Sequence, residues 1–304
     1  MRIVAGDKHF RELNEEINTC PDAEIELDNV CGQRYICSGL SGKKVTIHGI
    51  PGNALCCYLD GCDVEVLGNA QDATGDTMNS GTLTIHGHCG DATGYAMRGG
   101  TILIEGNVGY RAGIHMKAYQ THIPVLVVGG EAGSFLGEYQ AGGYIIVLGL
   151  NTRDHAPVGR FPAAGMHGGK IFLRTDCDMP FDIPAQVLSH EADDAEKAEI
   201  APFVRQFAEK FGKDADAILA DRFVVLVPDS ANPYRSMYVT NCRHFTWQCM
   251  TVAGVSPLRR RPKGFPVALW KPSARTLPCY LILAKVVMAC VLLVPKKITN
   301  ITDR

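Results

Sequence analysis

The sequence predicts a mainly β fold, a parallel β-solenoid with coils of about 19 residues, and three observations predict it. First, short apolar runs end in glycine at Gly49 (VTIHG), Gly68 (VEVLG), Gly87 (LTIHG) and Gly106 (ILIEG), each nineteen residues after the last. The beat loosens at Gly129 and Gly149 and returns without its glycine in KIFLR at 170–174. Second, apolar residues alternate with others inside each run, which is the period of a strand with one buried face. Third, the runs recur too far apart for hairpins, so neighbouring strands are expected to pair in parallel. One repeat of this length cannot bury its apolar face alone and needs its neighbours to do so.

Taken in order, the first element is an amphipathic helix over Asp7–Asn18, with Phe10, Leu13 and Ile17 on one stripe, followed by an entry strand. Seven strands follow. Their inward positions are expected at Val45 and Ile47, Val64 and Val66, Leu83 and Ile85, Ile102 and Ile104, Val125 and Val127, Ile145 and Val147, and Ile171 and Leu173. Their outward positions include Thr46, His48, Glu65, Thr84, His86 and Glu105, the side chains of a solvated or partner-facing sheet. Between the strands, Gly75, Gly94 and Gly113 keep the nineteen-residue spacing, as do Leu59, Met78, Met97 and Met116. Glycine at a fixed place marks a tight corner at positive φ. Methionine at a fixed place marks an internal stack that fills the coil interior. Residues 184–211 read as one or two helices that cap the last coil, and Phe223–Val227 reads as a strand.

Composition divides the chain. Residues 243–304 hold 11 of the 30 Lys and Arg and one of the 32 acids, leaving 19 basic and 31 acidic side chains in residues 1–242, a net charge of −12. Nucleic-acid binding by that acidic body is not expected. Four segments follow: an N-terminal helix and entry strand (1–40), the repeat body (41–178), a helical extension with a short strand (179–241), and a basic and apolar tail (242–304) that is expected to be disordered or artefactual. The apolar run at 280–293 contains Lys285 and is shorter than the roughly 20 residues of a bilayer span, so no membrane anchor is expected. The chain opens without the apolar core of a signal peptide, which predicts a cytoplasmic location with reduced cysteines. Cys56, Cys57 and Cys62 do not have metal-knuckle spacing and are expected to pack as small apolar side chains.

The segments GNAQDATGDTMNSG (68–81), IHGHCGDATGYAMRGG (85–100), GYRAGIHMKAY (109–119), GGEAGSFLGEYQAGG (129–143) and GMHGG (165–169) closely resemble the GXGXG domain at the C-terminal end of the glutamate synthase large subunit. Departures are Cys37, where that family usually has glycine, and Gln140 in the methionine column. The resemblance implies a right-handed parallel β-helix without chemistry of its own. It would hold an amidotransferase and an FMN and iron–sulfur synthase subunit together and line the ammonia path between them. This chain resembles a standalone version of that part, with no cofactor or metal of its own. The alternatives are a scaffold subunit of a formylmethanofuran dehydrogenase-like or an N-methylglutamate synthase-like complex.

Residue-level candidates are few. Gly75, Gly94 and Gly113 are expected as structural turns. Arg98 and Lys117 fall at equivalent places on adjoining coils, where like charges call for an acidic partner opposite. Glu138 and Tyr139 are further candidates for the interface, by analogy. Outward His48 and His86 lie two coils apart and do not converge on a metal, and His115 and His167 are expected to make structural hydrogen bonds. GGEAG and GYRAG lack the lysine and following helix of a phosphate loop. The acids Glu65, Asp76 and Glu105 are too scattered for a carbohydrate-cleaving pair.

Overall fold

The computed structural model describes residues 1–179 and 183–229. In chain order these contain β1 (Arg2–Val4), α1 (Phe10–Thr19), β2 (Glu24–Cys31), β3 (Lys44–Ile50), β4 (Asp60–Leu67), β5 (Ser80–Ile85), β6 (Thr101–Ile104), β7 (Val125–Val128), β8 (Ala141–Val147), β9 (Gly168–Arg174), β10 (Val187–Glu191), α2 (Asp194–Phe211), α3 (Ala215–Ala220) and β11 (Phe223–Pro228). The fold is mainly β, one 11-stranded sheet in the order β1-β2-β3-β4-β5-β6-β7-β8-β9-β11-β10. Each strand from β1 to β9 pairs in parallel with the next, and β11 and β10 then add antiparallel. The seven expected strands are β3 to β9. The tail at 242–304 and the run at 280–293 lie outside the described residues.

The inward positions stack as alternation requires, with one correction at β7. Ile102 and Ile104 pair with Leu126 and Val128, which in turn pair with Ile145 and Val147. Val125 and Val127 therefore face the other side. VLVV is apolar at every position, so its alternation carries no phase, and Thr101 pairs with Val125 twenty-four residues on, beyond the nineteen-residue beat.

Both faces of β6 to β9 are buried. The inward set joins Leu13 and Ile17 of α1 in one core, whereas Leu103, Val125, Val127, Ile146 and Phe172 form a second core beneath α2. That helix starts at Asp193, whose carboxylate accepts from the Glu196 amide, and ends at Gly212 in the left-handed region with φ of 63°. Ile200, Val204, Phe207 and Phe211 make its buried stripe. The expected solvated sheet is thus found only where α2 does not reach. At its rim, Lys213 Nζ lies 3.3 Å from Glu105, and the His86 ring meets Phe211 edge-on at 5.1 Å.

The C-terminal extension differs from expectation in a second way. Residues 187–191 form a strand paired with β11, not a helix, and that strand pair continues the sheet beyond β9 while α2 lies on its face. The short VLSHE stretch fits either period, and its tertiary partner decides it.

Two further ladders run between the strands. Ala70, Cys89, Val108, Ala132 and Val158 bridge one to the next in parallel. The other ladder is an arc in which every second residue has positive φ, as in Ala73, Gly75 and Thr77, or Arg111, Gly113 and His115. Outer members donate their amides to the following repeat and the middle member to the preceding one: Ala92 to Tyr110 O, Ala96 to Ile114 O and Gly94 to Thr74 O, each at 2.8 Å. Hydrogen bonds in both directions hold non-glycine residues in a region that costs about 1–2 kcal/mol apiece. Gly75, Gly94 and Gly113 occupy the middle place with φ of 72°, 70° and 68°. Leu59, Met78, Met97 and Met116 are fully buried, and Gln140 continues their column by donating to the Gly142 and Gly143 carbonyls.

Candidate partner-binding face

Outer members of the arc such as Arg111, His115 and Tyr139 face solvent, and the sequence-predicted candidates lie along it. Arg98 and Lys117 are exposed on adjacent repeats, their amides bonded to Met78 O and Met97 O, and neither side chain has an ion-pair partner among the described residues. Glu138 is committed within the molecule: it is 8% exposed and its Oε2 lies 2.8 Å from Arg111 Nε. Tyr139, 42% exposed, is the member of that pair presented to solvent.

Around these residues the structure assembles two rows of rings that the sequence reading missed. Tyr95, His115 and Tyr139 form one, with centroids 5.8 and 5.2 Å apart and the last two rings stacked at 10°. Tyr110, Phe135 and Phe161 form the other, at 5.2 and 5.1 Å. Arg111 lies over the rings of Tyr110 and Phe135, with its guanidinium carbon 4.9 and 5.5 Å from their centroids, while it binds Glu138. The signal was present as aromatics near equivalent places in consecutive repeats, but Tyr95 stands one place off the His115 column and the later repeats are longer than nineteen residues.

Elsewhere, polar clusters have internal partners. Glu26, Asp28 and His48 place ligand-type atoms within 4.8 Å of one another. Their atoms are already used: His48 Nε2 lies 2.8 Å from Glu26 Oε1, and Arg2 binds Asp28 and holds its carboxyl below the usual range. Asp28 stands beside the pair because it follows Glu26 by two residues on the outward face of β2. Burial pushes the Cys56, Cys57 and Cys62 thiols up, and Cys89 up to about 12, so these sulfurs stay protonated and are poor nucleophiles or ligands. His115 sits in the ring row, and His167 Nδ1 lies 3.3 Å from the Gly165 carbonyl.

One pair yields a pH prediction. The His86 hydrogen bond, 2.8 Å to Glu65 Oε1, holds the Glu65 carboxyl below its ordinary value against the opposing effect of burial. A lowered carboxyl pKa contributes stability above the unfolded value near 4.5 and loses it as pH falls through the folded value. Solvent screening at this half-exposed pair keeps the contribution below about 1 kcal/mol. In urea unfolding, the stability gap between wild type and Glu65→Gln should be widest at neutral pH and close in acid. A gap that widens as pH falls would contradict the assignment.

Fold and face together define a mainly β protein built on one mostly parallel sheet, with an exposed aromatic and basic strip on one ladder. The chain belongs to the GXGXG motif family, the family of the glutamate synthase C-terminal domain, whose model matches residues 13–229. It is 45% identical over 250 residues to an uncharacterized protein, MJ1350, of Methanocaldococcus jannaschii, with 78% of this chain and 95% of that protein covered. A crystal structure of the formyltransferase/hydrolase complex from Methylorubrum extorquens with methylofuran is similar at TM-score 0.49 and 18% identity, over 67% of this chain and 74% of the matched one. No helix among the described residues is long and apolar enough to cross a membrane.

Proposed function

We propose that the chain is a non-catalytic structural subunit of a glutamate synthase-type complex, which forms glutamate from glutamine and 2-oxoglutarate. It holds an amidotransferase subunit and an FMN and iron–sulfur subunit together and lines the ammonia path between them. The observation that carries this reading is the family match across residues 13–229. The three ladders fit it as the sides of a right-handed parallel β-helix over residues 41–178, with Gly75, Gly94 and Gly113 at one set of corners. A rod cross-linked along its whole length holds two partners at a fixed separation, which a tunnel between active sites requires. Flavin and clusters belong to the partners, and the assembly is cytoplasmic.

Native co-purification followed by assay tests the proposal. The expected result is an amidotransferase and a flavoprotein held with this chain, and glutamine-dependent conversion of 2-oxoglutarate to glutamate by the assembly. A monomer free of both would end the reading. Co-purification with a formylmethanofuran-type or N-methylglutamate-forming complex would move the same scaffold role to a different reaction.

A further inference from the structure

We propose that the two ring rows form the seat of an acidic amphipathic helix from a partner protein, laid along the stacking direction. This rests on the reading of the chain as a subunit of a larger assembly, and it names the surface and the chemistry of what binds there.

Three features of the strip point to that occupant. Its residue types are aromatics and arginine, which carry much of the energy at protein interfaces. Tyr139 and Phe161 are 42% and 51% exposed, and the Tyr139 amide bonds Ala164 O while the Ala163 amide bonds Leu136 O, so the backbone beneath them is tied between repeats and little ordering is left for binding to require.

Charge is the second feature. On the arc segments 91–98, 110–117, 134–141 and 160–167 the cations are Arg98, Arg111, Lys117 and Arg160, and the acids are Asp91 and Glu138. Both acids are occupied internally, Asp91 Oδ1 by the Tyr110 amide at 2.7 Å and Glu138 by Arg111. Arg98, Lys117 and Arg160 are left facing outward on a body of 19 basic and 31 acidic side chains in residues 1–242. A carboxylate-bearing partner complements that patch. The chain's own segment 243–304 does not, because it carries 11 basic residues and one acid. A second copy meeting this face about a two-fold axis would set basic patch against basic patch.

Spacing is the third. Successive rings repeat at 5.1 to 5.8 Å. One α-helical turn advances about 5.4 Å, so a helix along the rows presents a side chain to each ring in step. Same-face residues of an extended strand advance about 6.7 Å and fall out of register within three repeats.

The test places the photocrosslinker benzoylphenylalanine at Phe161 in the full chain, in the cells that make it, with the exposed Leu67 position of β4 as control. Crosslinked peptides are identified by mass spectrometry. The expected product joins position 161 to a net-acidic helical segment of one partner, absent from the control. Its yield should fall about tenfold or more with Arg98→Glu and Lys117→Glu together. Thermal unfolding of that double variant should match wild type, since both side chains are exposed. A crosslink to a basic segment, a second copy or nucleic acid would overturn the proposal, as would one no stronger than the control or indifferent to charge reversal. If the acidic helix belongs to neither an amidotransferase nor a flavoprotein, the glutamate synthase reading fails and the seat stands. If the complex assembles equally well with the reversed charges, the seat fails and that reading stands.

Discussion

Gly113→Val is expected to cost about 3–5 kcal/mol of folding stability, combining a β-branched residue forced to positive φ with overpacking of a filled core. Gly113 sits at φ of 68°, and a Cβ there would overlap Ile145 Cδ1 and touch Leu126 Cδ2 at 3.9 Å. Neither atom can retreat far, because both belong to the stacked inward set of β7 and β8. Gly94 makes the contrast. A Cβ at that position meets nothing closer than Ile102 Cδ1 at 3.8 Å, so Gly94→Ala bears only the backbone term of about 1–2 kcal/mol. Cys56 and Ala163 already occupy the same middle place in other repeats at φ of 56° and 58°. Urea unfolding of the two variants checks the order. Equal losses would mean that left-handed backbone alone, and not the inward direction of the missing Cβ, explains the glycine column.

Phe207→Ala should cost about 3–5 kcal/mol, the range for truncating a buried aromatic. Phe207 is fully buried between α2 and the outward face of β6 to β9, and its ring fills the space over Gly129, where an added Cβ would come within 2.7 Å of Cζ. Hydrogen exchange should report the loss first in α2, whose stripe depends on that contact. A loss under about 1 kcal/mol would mean that Phe207 does not anchor α2 to the sheet, since buried truncations of this size are not that mild. It would also revive the picture of a solvated outer sheet.

The sequence was most legible where one physical requirement admits few residues. Positive φ with the Cβ aimed inward favours glycine at Gly75 and Gly113, so a regular glycine spacing marks these places. Alternation located β3 to β5 with the correct inward face because their outward residues are polar or charged at Thr46, Glu65 and Thr84. It failed at β7, where α2 makes the outward face as apolar as the inward one and the alternation disappears. What covers a face lies sixty or more residues away in the chain, beyond any local period. The ring rows were hidden for a related reason: Tyr110, Phe135 and Phe161 meet in space across repeats of unequal length. Arg98 and Lys117 keep the regular spacing, so their exposed places on adjoining repeats could be read. Glu138 looked like a surface acid until its pairing with Arg111 turned it inward.

The most direct measurement of the central claim follows nitrogen. The complex that co-purifies with this chain is given glutamine labelled with ¹⁵N in its amide, 2-oxoglutarate, a reductant and excess unlabelled ammonium. If the chain is the scaffold that walls the ammonia path, the glutamate made from 2-oxoglutarate, as distinct from the unlabelled glutamate left by glutamine hydrolysis, carries the label undiluted in the intact complex, and removal of this chain lets the unlabelled ammonium in or stops transfer. Glutamate equally labelled with and without the chain would contradict the account.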